Sequence, residues 1–119
     1  MLPQINARTA RMKPSLGVLE QMVLLALLRL GDGAYGVPIR EAIEERTGRA
    51  ITPGSIYTAL SRLEARGLVA SRFGEPTPER GGKRKKLYTI EPGGLELLQS
   101  SFRELMAMAG GLEPRLEER

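Results

Sequence analysis

The side chains of this 119-residue chain that could do chemistry are mainly hydroxyl, guanidinium and ammonium groups. The sequence has no cysteine, no histidine and a single aspartate, Asp32. A thiol nucleophile, a Ser-His relay and an ordinary zinc site all need residues that are missing. A hard-metal site gathers several carboxylates, to which one aspartate contributes little. The composition therefore predicts no enzyme, no metal and no cofactor, and favours recognition of a partner.

Positive charge is concentrated in the middle of the sequence. The whole chain has 18 basic and 14 acidic residues, for a net charge of +4. Residues 49–86 alone contain nine basic and three acidic residues, so this segment is more positive than the chain as a whole. A basic segment in a small domain is typical of binding to a phosphate backbone. The alternative is an ordinary solvated surface.

The polar groups best placed for recognition lie on a predicted third helix. Thr52 is its expected N-cap, Pro53 fits its first position, and Gly67 ends it. Apolar residues at i, i+4 and i+7 predict its buried side, namely Ile56, Leu60 and Leu63. The candidate DNA contacts of this helix are Thr52, Ser55, Tyr57, Thr58, Ser61 and Arg62.

Three of these candidates have alternative roles. The Tyr57 ring could pack against the second helix or the hairpin, so that only its hydroxyl reaches a phosphate. Thr52 is expected to cap the helix, whose N-terminus would then point at a phosphate. Arg62 is expected on bases or phosphate, although a pairing near Glu64 is the other possibility.

A basic hairpin is predicted directly after the third helix. Residues 68–73 and 86–90 read as two short strands, and the connection between them is rich in glycine and proline. Such a hairpin following a recognition helix is called a wing. Its expected phosphate or minor-groove contacts are Arg80, Lys83, Arg84 and Lys85, unless the tip is merely solvated. Lys86 alternates with them and is expected to face the other way.

Three more helices must position these groups. The sequence predicts them at about residues 16–30, with Ser15 as N-cap, at 37–47, and from Pro92 to about residue 109. The glycines of residues 31–36 spell G-x-G-x-x-G, but this motif follows a helix and not a strand, which excludes the dinucleotide-binding interpretation.

The first and last helices are too apolar for a small three-helix core to cover both. Apolar residues at alternating spacings of three and four in the last helix predict a packing surface. We expect a homodimer built from these two helices, the alternative being that they only cover the domain's own core. The predicted interface residues are Leu16, Leu19, Val23, Leu95, Leu98, Phe102 and Leu105.

The predicted fold class is mainly α (α+β), a winged helix-turn-helix with a two-stranded wing. Residues 1–14 are expected to form a flexible basic arm, 15–90 the DNA-binding domain, 91–109 a C-terminal dimerisation helix, and 110–119 a frayed tail. The most apolar run, seven residues at 22–28, is far shorter than the ~20 residues needed to cross a bilayer.

The segment from Ile51 to Val69 resembles the PadR family of transcriptional regulators, short type. It is similar to the family's pattern of Ser/Thr-Pro-Gly, an apolar residue and Tyr, followed by Ala-Leu, Arg-Leu-Glu and Gly-Leu. Tyr35-Gly36 with Ile39 resembles the opening of the family's second helix. The end of the wing and the start of the last helix are matched by Lys86-Leu87-Tyr88 and Gly94.

The resemblance implies a homodimer that binds double-stranded DNA in the cytoplasm of a bacterium or archaeon and usually represses neighbouring genes. Some relatives bind aromatic or drug-like effectors at the dimer interface, and an effector for this chain is left open. Thr58 and Ser61 stand where the family often has Pro and His, so the operator sequence cannot be carried over. The alternative function is a winged-helix module that binds a protein partner.

Overall fold

The computed structural model describes residues 15–75 and 84–118. The predicted arm, residues 1–14, lies outside this part of the chain, as do the wing residues Arg80 and Lys83. The elements of the described part are α1 (Val18–Leu30), α2 (Gly36–Thr47), α3 (Pro53–Ala65), β1 (Val69–Phe73), β2 (Lys86–Ile90), α4 (Pro92–Ala109) and α5 (Glu113–Leu116). Their order confirms the predicted winged helix-turn-helix fold with a helix after the wing.

The core lies between the first three helices. The predicted inner side of α3 is confirmed, since Ile56, Leu60 and Leu63 are at most 1% exposed. They pack with buried residues of α1 and α2, among them Leu24 and Ile39. Apart from the phenol of Tyr88, the buried side chains among the described residues are apolar. This core fixes which side of α3 remains outside.

The helix ends show which sequence signals determined the boundaries. The Thr52 side chain accepts a hydrogen bond from the Ser55 backbone N–H at 3.1 Å, as a side-chain N-cap should. The prediction that Ser15 caps α1 is wrong, because Gly17 is the N-cap residue and its N–H donates to Glu20 Oε1 at 2.8 Å. Gly48 ends α2 in the left-handed conformation, with φ of 71°.

The wing is an antiparallel pair in which Val69 lies opposite Ile90 and Phe73 opposite Lys86. A third segment joins it, since Ala34 forms a bridge to Tyr88. The Ala34 N–H donates to the Tyr88 carbonyl at 3.2 Å, and the Ala34 carbonyl accepts a hydrogen bond from the Tyr88 N–H at 2.7 Å. The turn before α2 is therefore bonded to β2, a contact that no pattern in the sequence predicts.

The last helix begins against the wing and then leaves the domain. Gly94 and Leu98, in its first half, are buried, whereas the second half is mostly exposed. The segment predicted as a frayed tail contains α5, a single turn of helix with no buried residue. None of the helices in the described residues is both long and apolar enough to span a membrane.

Candidate nucleic-acid interface

The side of α3 opposite the core carries short hydroxyl side chains and an arginine. This α3 outer face consists of Ser55, Thr58, Ser61 and Arg62, all of which are exposed. The cap joins two of the predicted contacts, because Thr52 Oγ1 also donates to Ser55 Oγ at 2.9 Å. The short side chains let another molecule approach the helix backbone closely on this side, and the Arg62 guanidinium extends beyond them as a charged hydrogen-bond donor. Such a face suits close approach to a major groove.

Tyr57 lies at the flank of this face and packs on the first residue of α2. An ideal Cβ built on Gly36 would lie 2.5 Å from Tyr57 Oη and 2.7 Å from Cζ, so the ring rests directly on the glycine backbone. The ring is nevertheless 46% exposed. Packing against the second helix is thus the arrangement found, and enough of the side chain remains outside to meet a phosphate.

The described wing cations are held at the base of the hairpin. Arg84 Nε donates to the Gly74 carbonyl at 3.0 Å, and its guanidinium lies 5.8 Å from the centre of the Phe73 ring. The Lys85 ammonium lies 4.2 Å from the centre of the Tyr35 ring, which belongs to the turn before α2. The wing and the helix-turn-helix are therefore in direct side-chain contact.

A carboxylate on α3 ties the recognition helix to both strands. Glu64 accepts a hydrogen bond from Ser71 Oγ of β1 and pairs with Lys86 Nζ of β2 at 3.6 Å. Lys86 and Lys85 therefore contact different groups, Glu64 and the Tyr35 ring respectively. Sequence reasoning missed this role of Glu64, because nothing in the local pattern distinguishes it from an ordinary surface carboxylate.

Two other carboxylates hold the segments at the two ends of α3, one just before the helix begins and one just after it ends. Glu44 Oε2 accepts the Ile51 backbone N–H at 3.0 Å while it pairs with Arg40 at 3.2 Å, which fixes the turn between α2 and α3. Glu20 of α1 pairs with Arg66 at 3.6 Å, just after α3 ends. These contacts position the α3 outer face without occupying it.

A model of the transcriptional regulator PadR-like family matches residues 24–100. The chain belongs to this family. The match runs through α3, the wing and the start of α4, and thus includes the α3 outer face and the residues that orient it. A winged helix of this family is a DNA-binding fold, and the family consists of transcriptional regulators.

One sequence relative and two solved structures are similar to this chain. The chain is 38% identical over 88 residues to an uncharacterized 37.1 kDa protein in transposon TN4556 of Streptomyces fradiae, and it spans about a quarter (24%) of that protein's length. A PadR family transcription regulator from Clostridium difficile has a TM-score of 0.68 at 23% identity, with 84% of this chain and 99% of that chain covered. Bacillus subtilis PadR in complex with operator DNA has a TM-score of 0.60 at 27% identity, with 71% of this chain and 47% of that chain covered.

The predicted dimer-interface residues of this PadR-like chain fall into two groups. Leu16, Val23 and Leu98 are 8%, 0% and 5% exposed, so their side chains are core residues with almost no surface left for a partner. We therefore remove these three residues from the predicted interface and assign them to the core. Leu19 and Leu95 are half-buried, whereas Phe102 and Leu105 are 59% and 57% exposed. The predicted interface list leaves out four further exposed apolar residues nearby in the chain, namely Met106, Met108, Leu112 and Leu116.

Tyr88 connects the wing strand to the interior of the PadR-like domain. Its side chain is 3% exposed. Burial raises the pKa of the Tyr88 phenol above its ordinary value of 10.0, and the nearby Glu64 carboxylate and Tyr57 phenol raise it further. All three causes disfavour the phenolate, so the folded chain holds this proton more tightly than the unfolded chain does.

The raised pKa of Tyr88 predicts that the domain loses stability at alkaline pH. Below pH 10.0 the phenol is neutral in both states, and the favourable difference is fully present. Above pH 10.0 the unfolded chain loses the proton first, so the free energy of unfolding falls as the pH rises toward the folded pKa. Urea unfolding of the wild type and Tyr88→Phe at pH 8 and pH 11 measures this effect. We expect a steeper loss of stability in the wild type, and parallel losses in the two proteins would contradict it.

Proposed function

We propose that the protein is a homodimeric repressor that binds an inverted-repeat operator in double-stranded DNA, in the cytoplasm of a bacterial or archaeal cell. The observation that carries this proposal is the α3 outer face, which is exposed, small, hydroxylated and basic. It is flanked by Tyr57 on one side and by the ion pair of Arg66 with Glu20 on the other. The solved Bacillus subtilis PadR complex with operator DNA supports the same class of ligand.

In this proposal the protein docks on DNA through the α3 outer face and the base of the wing. The α3 outer face enters the major groove, where hydroxyl and guanidinium groups meet base edges and phosphates. Arg84 and Lys85 at the base of the wing then face the flanking backbone. A two-fold dimer presents two such helices, and the half-sites lie about 34–36 Å apart, one turn of DNA, or a multiple of that distance.

The second half of α4 supports the dimer. Phe102, Leu105, Met106 and Met108 expose between 51% and 80% of their surface on a helix that has already left its own core. A contiguous apolar patch of this kind on a regulator marks an interaction surface. A second copy of the chain brings an identical apolar patch, which makes a self-complementary two-fold interface possible.

Arg62 provides the test of DNA recognition. Arg62→Ala removes the longest cationic side chain of the α3 outer face, and we expect weaker binding by about tenfold, a loss within the range of about 1–3 kcal/mol for a specific arginine contact. The measurement is fluorescence anisotropy with duplex DNA from the region upstream of the protein's own gene. The matched control is Arg103→Ala, which removes the same charge from the exposed surface of α4.

The pattern of loss identifies the contact. If Arg62 reads a base, discrimination between the upstream duplex and a scrambled duplex falls as well. If it contacts a phosphate, both duplexes are bound more weakly and the salt slope drops by about 1. Equal affinities for Arg62→Ala and Arg103→Ala would refute this role of α3. If the wild type does not bind duplex DNA at low salt, the proposed function itself is refuted.

A further inference from the structure

Lys85 is held at the base of the wing by an aromatic ring from outside the wing. Its ammonium lies 4.2 Å from the centre of the Tyr35 ring, a distance at which a cation is attracted to the negative face of the ring. Both side chains are half-buried. Among the described residues, no carboxylate pairs with Lys85, so its charge is not neutralised within this part of the protein.

The backbone on both sides of this contact is fixed. The Lys85 carbonyl accepts the Gly74 N–H at 2.8 Å, which closes the wing at its base. Ala34, next to Tyr35, is bridged to Tyr88 of β2 by two hydrogen bonds. The backbone segments that carry the ring and the ammonium are therefore both hydrogen-bonded to residues of the wing.

Tyr35 also links this contact to the recognition helix. The next residue, Gly36, is the one on which the Tyr57 ring of α3 rests. Two consecutive residues at the start of α2, Tyr35 and Gly36, thus contact a wing cation and a side chain of α3. The wing base and α3 therefore contact adjacent residues of the chain.

We propose that Tyr35 is a positioning residue for DNA binding, which holds the Lys85 ammonium beside the helix-turn-helix so that it meets a backbone phosphate at the base of the wing. A cation–π contact uses the charge of the ammonium but leaves N–H donors free for a phosphate oxygen. Holding a flexible lysine in place before binding lowers the entropy lost when DNA arrives. This inference rests on the proposed function, since it names a further residue of the same DNA interface.

A purely structural role for Tyr35 makes a different prediction. If its ring only filled space before α2, removing it would weaken DNA binding by the same factor whether or not Lys85 is present. If it positions Lys85, its removal matters only while the ammonium is there. A double-mutant cycle separates the two roles.

The experiment compares the full-length wild type with Tyr35→Leu, Tyr35→Phe, Lys85→Met and the double variant Tyr35→Leu/Lys85→Met. The probe is the upstream duplex, measured by fluorescence anisotropy between 50 and 200 mM salt, with thermal unfolding to confirm that each variant is folded. We expect Tyr35→Leu to weaken binding about two- to fivefold, and Tyr35→Phe, which keeps the ring, to restore it. Lys85→Met should lower the salt slope by about 0.9, the loss of one phosphate contact.

The decisive result is the double variant. We expect it to bind as Lys85→Met does, because Tyr35 has nothing left to position. A Tyr35→Leu effect of equal size in both backgrounds would overturn the inference, as would a Tyr35→Phe variant as weak as Tyr35→Leu. If these results occur while the wild type binds the duplex, the inference alone fails. If the wild type binds no duplex, the proposed function fails and the inference with it.

Discussion

Gly94→Ala is expected to destabilise the domain by about 3 kcal/mol, the upper part of the range for overpacking a closely packed site. An ideal Cβ at this position would lie 2.2 Å from the Leu68 carbonyl oxygen and 3.1 Å from Ile90 Cγ1. The carbonyl cannot move aside easily, because it already accepts the Glu91 N–H at 3.0 Å, just before α4 begins. The start of α4 would have to move away from the wing.

Gly93→Ala is the matched control. It lies in the same turn of α4, but its added methyl group would find only Leu68 Cδ2, at 4.0 Å. Alanine is the better helix former by up to about 1 kcal/mol, so this variant should be as stable as the wild type or slightly more stable. Thermal unfolding checks both, and we expect the midpoint of Gly94→Ala to fall by more than about 10 °C. Similar midpoints for the two variants would show that α4 does not need this close approach.

Local signals predicted α3 almost completely. The Thr52 cap, the proline after it and the i, i+4, i+7 stripe all act within a few residues, and each was found where the sequence placed it. The exposed polar side then follows by geometry, because a helix with one side in the core has the other side free. The part of the candidate interface that lies on α3 could therefore be predicted from the sequence.

Contacts between distant segments were not accessible in this way. Ala34 and Tyr88 are far apart in the chain, and the glycine-rich turn that contains Ala34 has no strand pattern. The placement of Lys85 on Tyr35 depends on that bridge, so the sequence could assign Lys85 only to the wing in general. Periodicity also shows which side of α4 is apolar without showing where the helix leaves the domain. Leu98 and Leu105 belong to one apolar stripe, yet Leu98 is buried and Leu105 is exposed, because the helix leaves the domain between them.

Leu105→Glu is expected to convert the proposed dimer into a monomer at micromolar concentration. α4 has 18 residues, about 27 Å of helix, and its apolar stripe continues past the point where the domain ends. Leu105 is 57% exposed in a single chain, and in the dimer its side chain would be covered by the partner's helix. A carboxylate at this position would lose its hydration among apolar side chains, and the free energy of dimerisation would become unfavourable.

Ala107→Glu is the control for the charge itself. This residue is also exposed on α4, but it lies about 200° around the helix from Leu105, away from the apolar stripe. Size-exclusion chromatography with light scattering should show a dimer for the wild type and Ala107→Glu, and a monomer for Leu105→Glu. A Leu105→Glu protein that remains dimeric would contradict the proposed interface, and so would loss of the dimer in both variants.

The same pair of variants links assembly to DNA binding. In a dimer, the second recognition helix meets its half-site at a high effective concentration, which commonly raises affinity by about 10²–10⁴. Ala107→Glu adds the same negative charge to the same helix, so a loss of DNA affinity found only in Leu105→Glu comes from the loss of the partner. We therefore expect Leu105→Glu to bind the upstream duplex at least about a hundredfold more weakly, with Ala107→Glu close to the wild type. A monomeric Leu105→Glu protein that kept the wild-type affinity would show that one recognition helix suffices, and the inverted-repeat operator would then have to be given up.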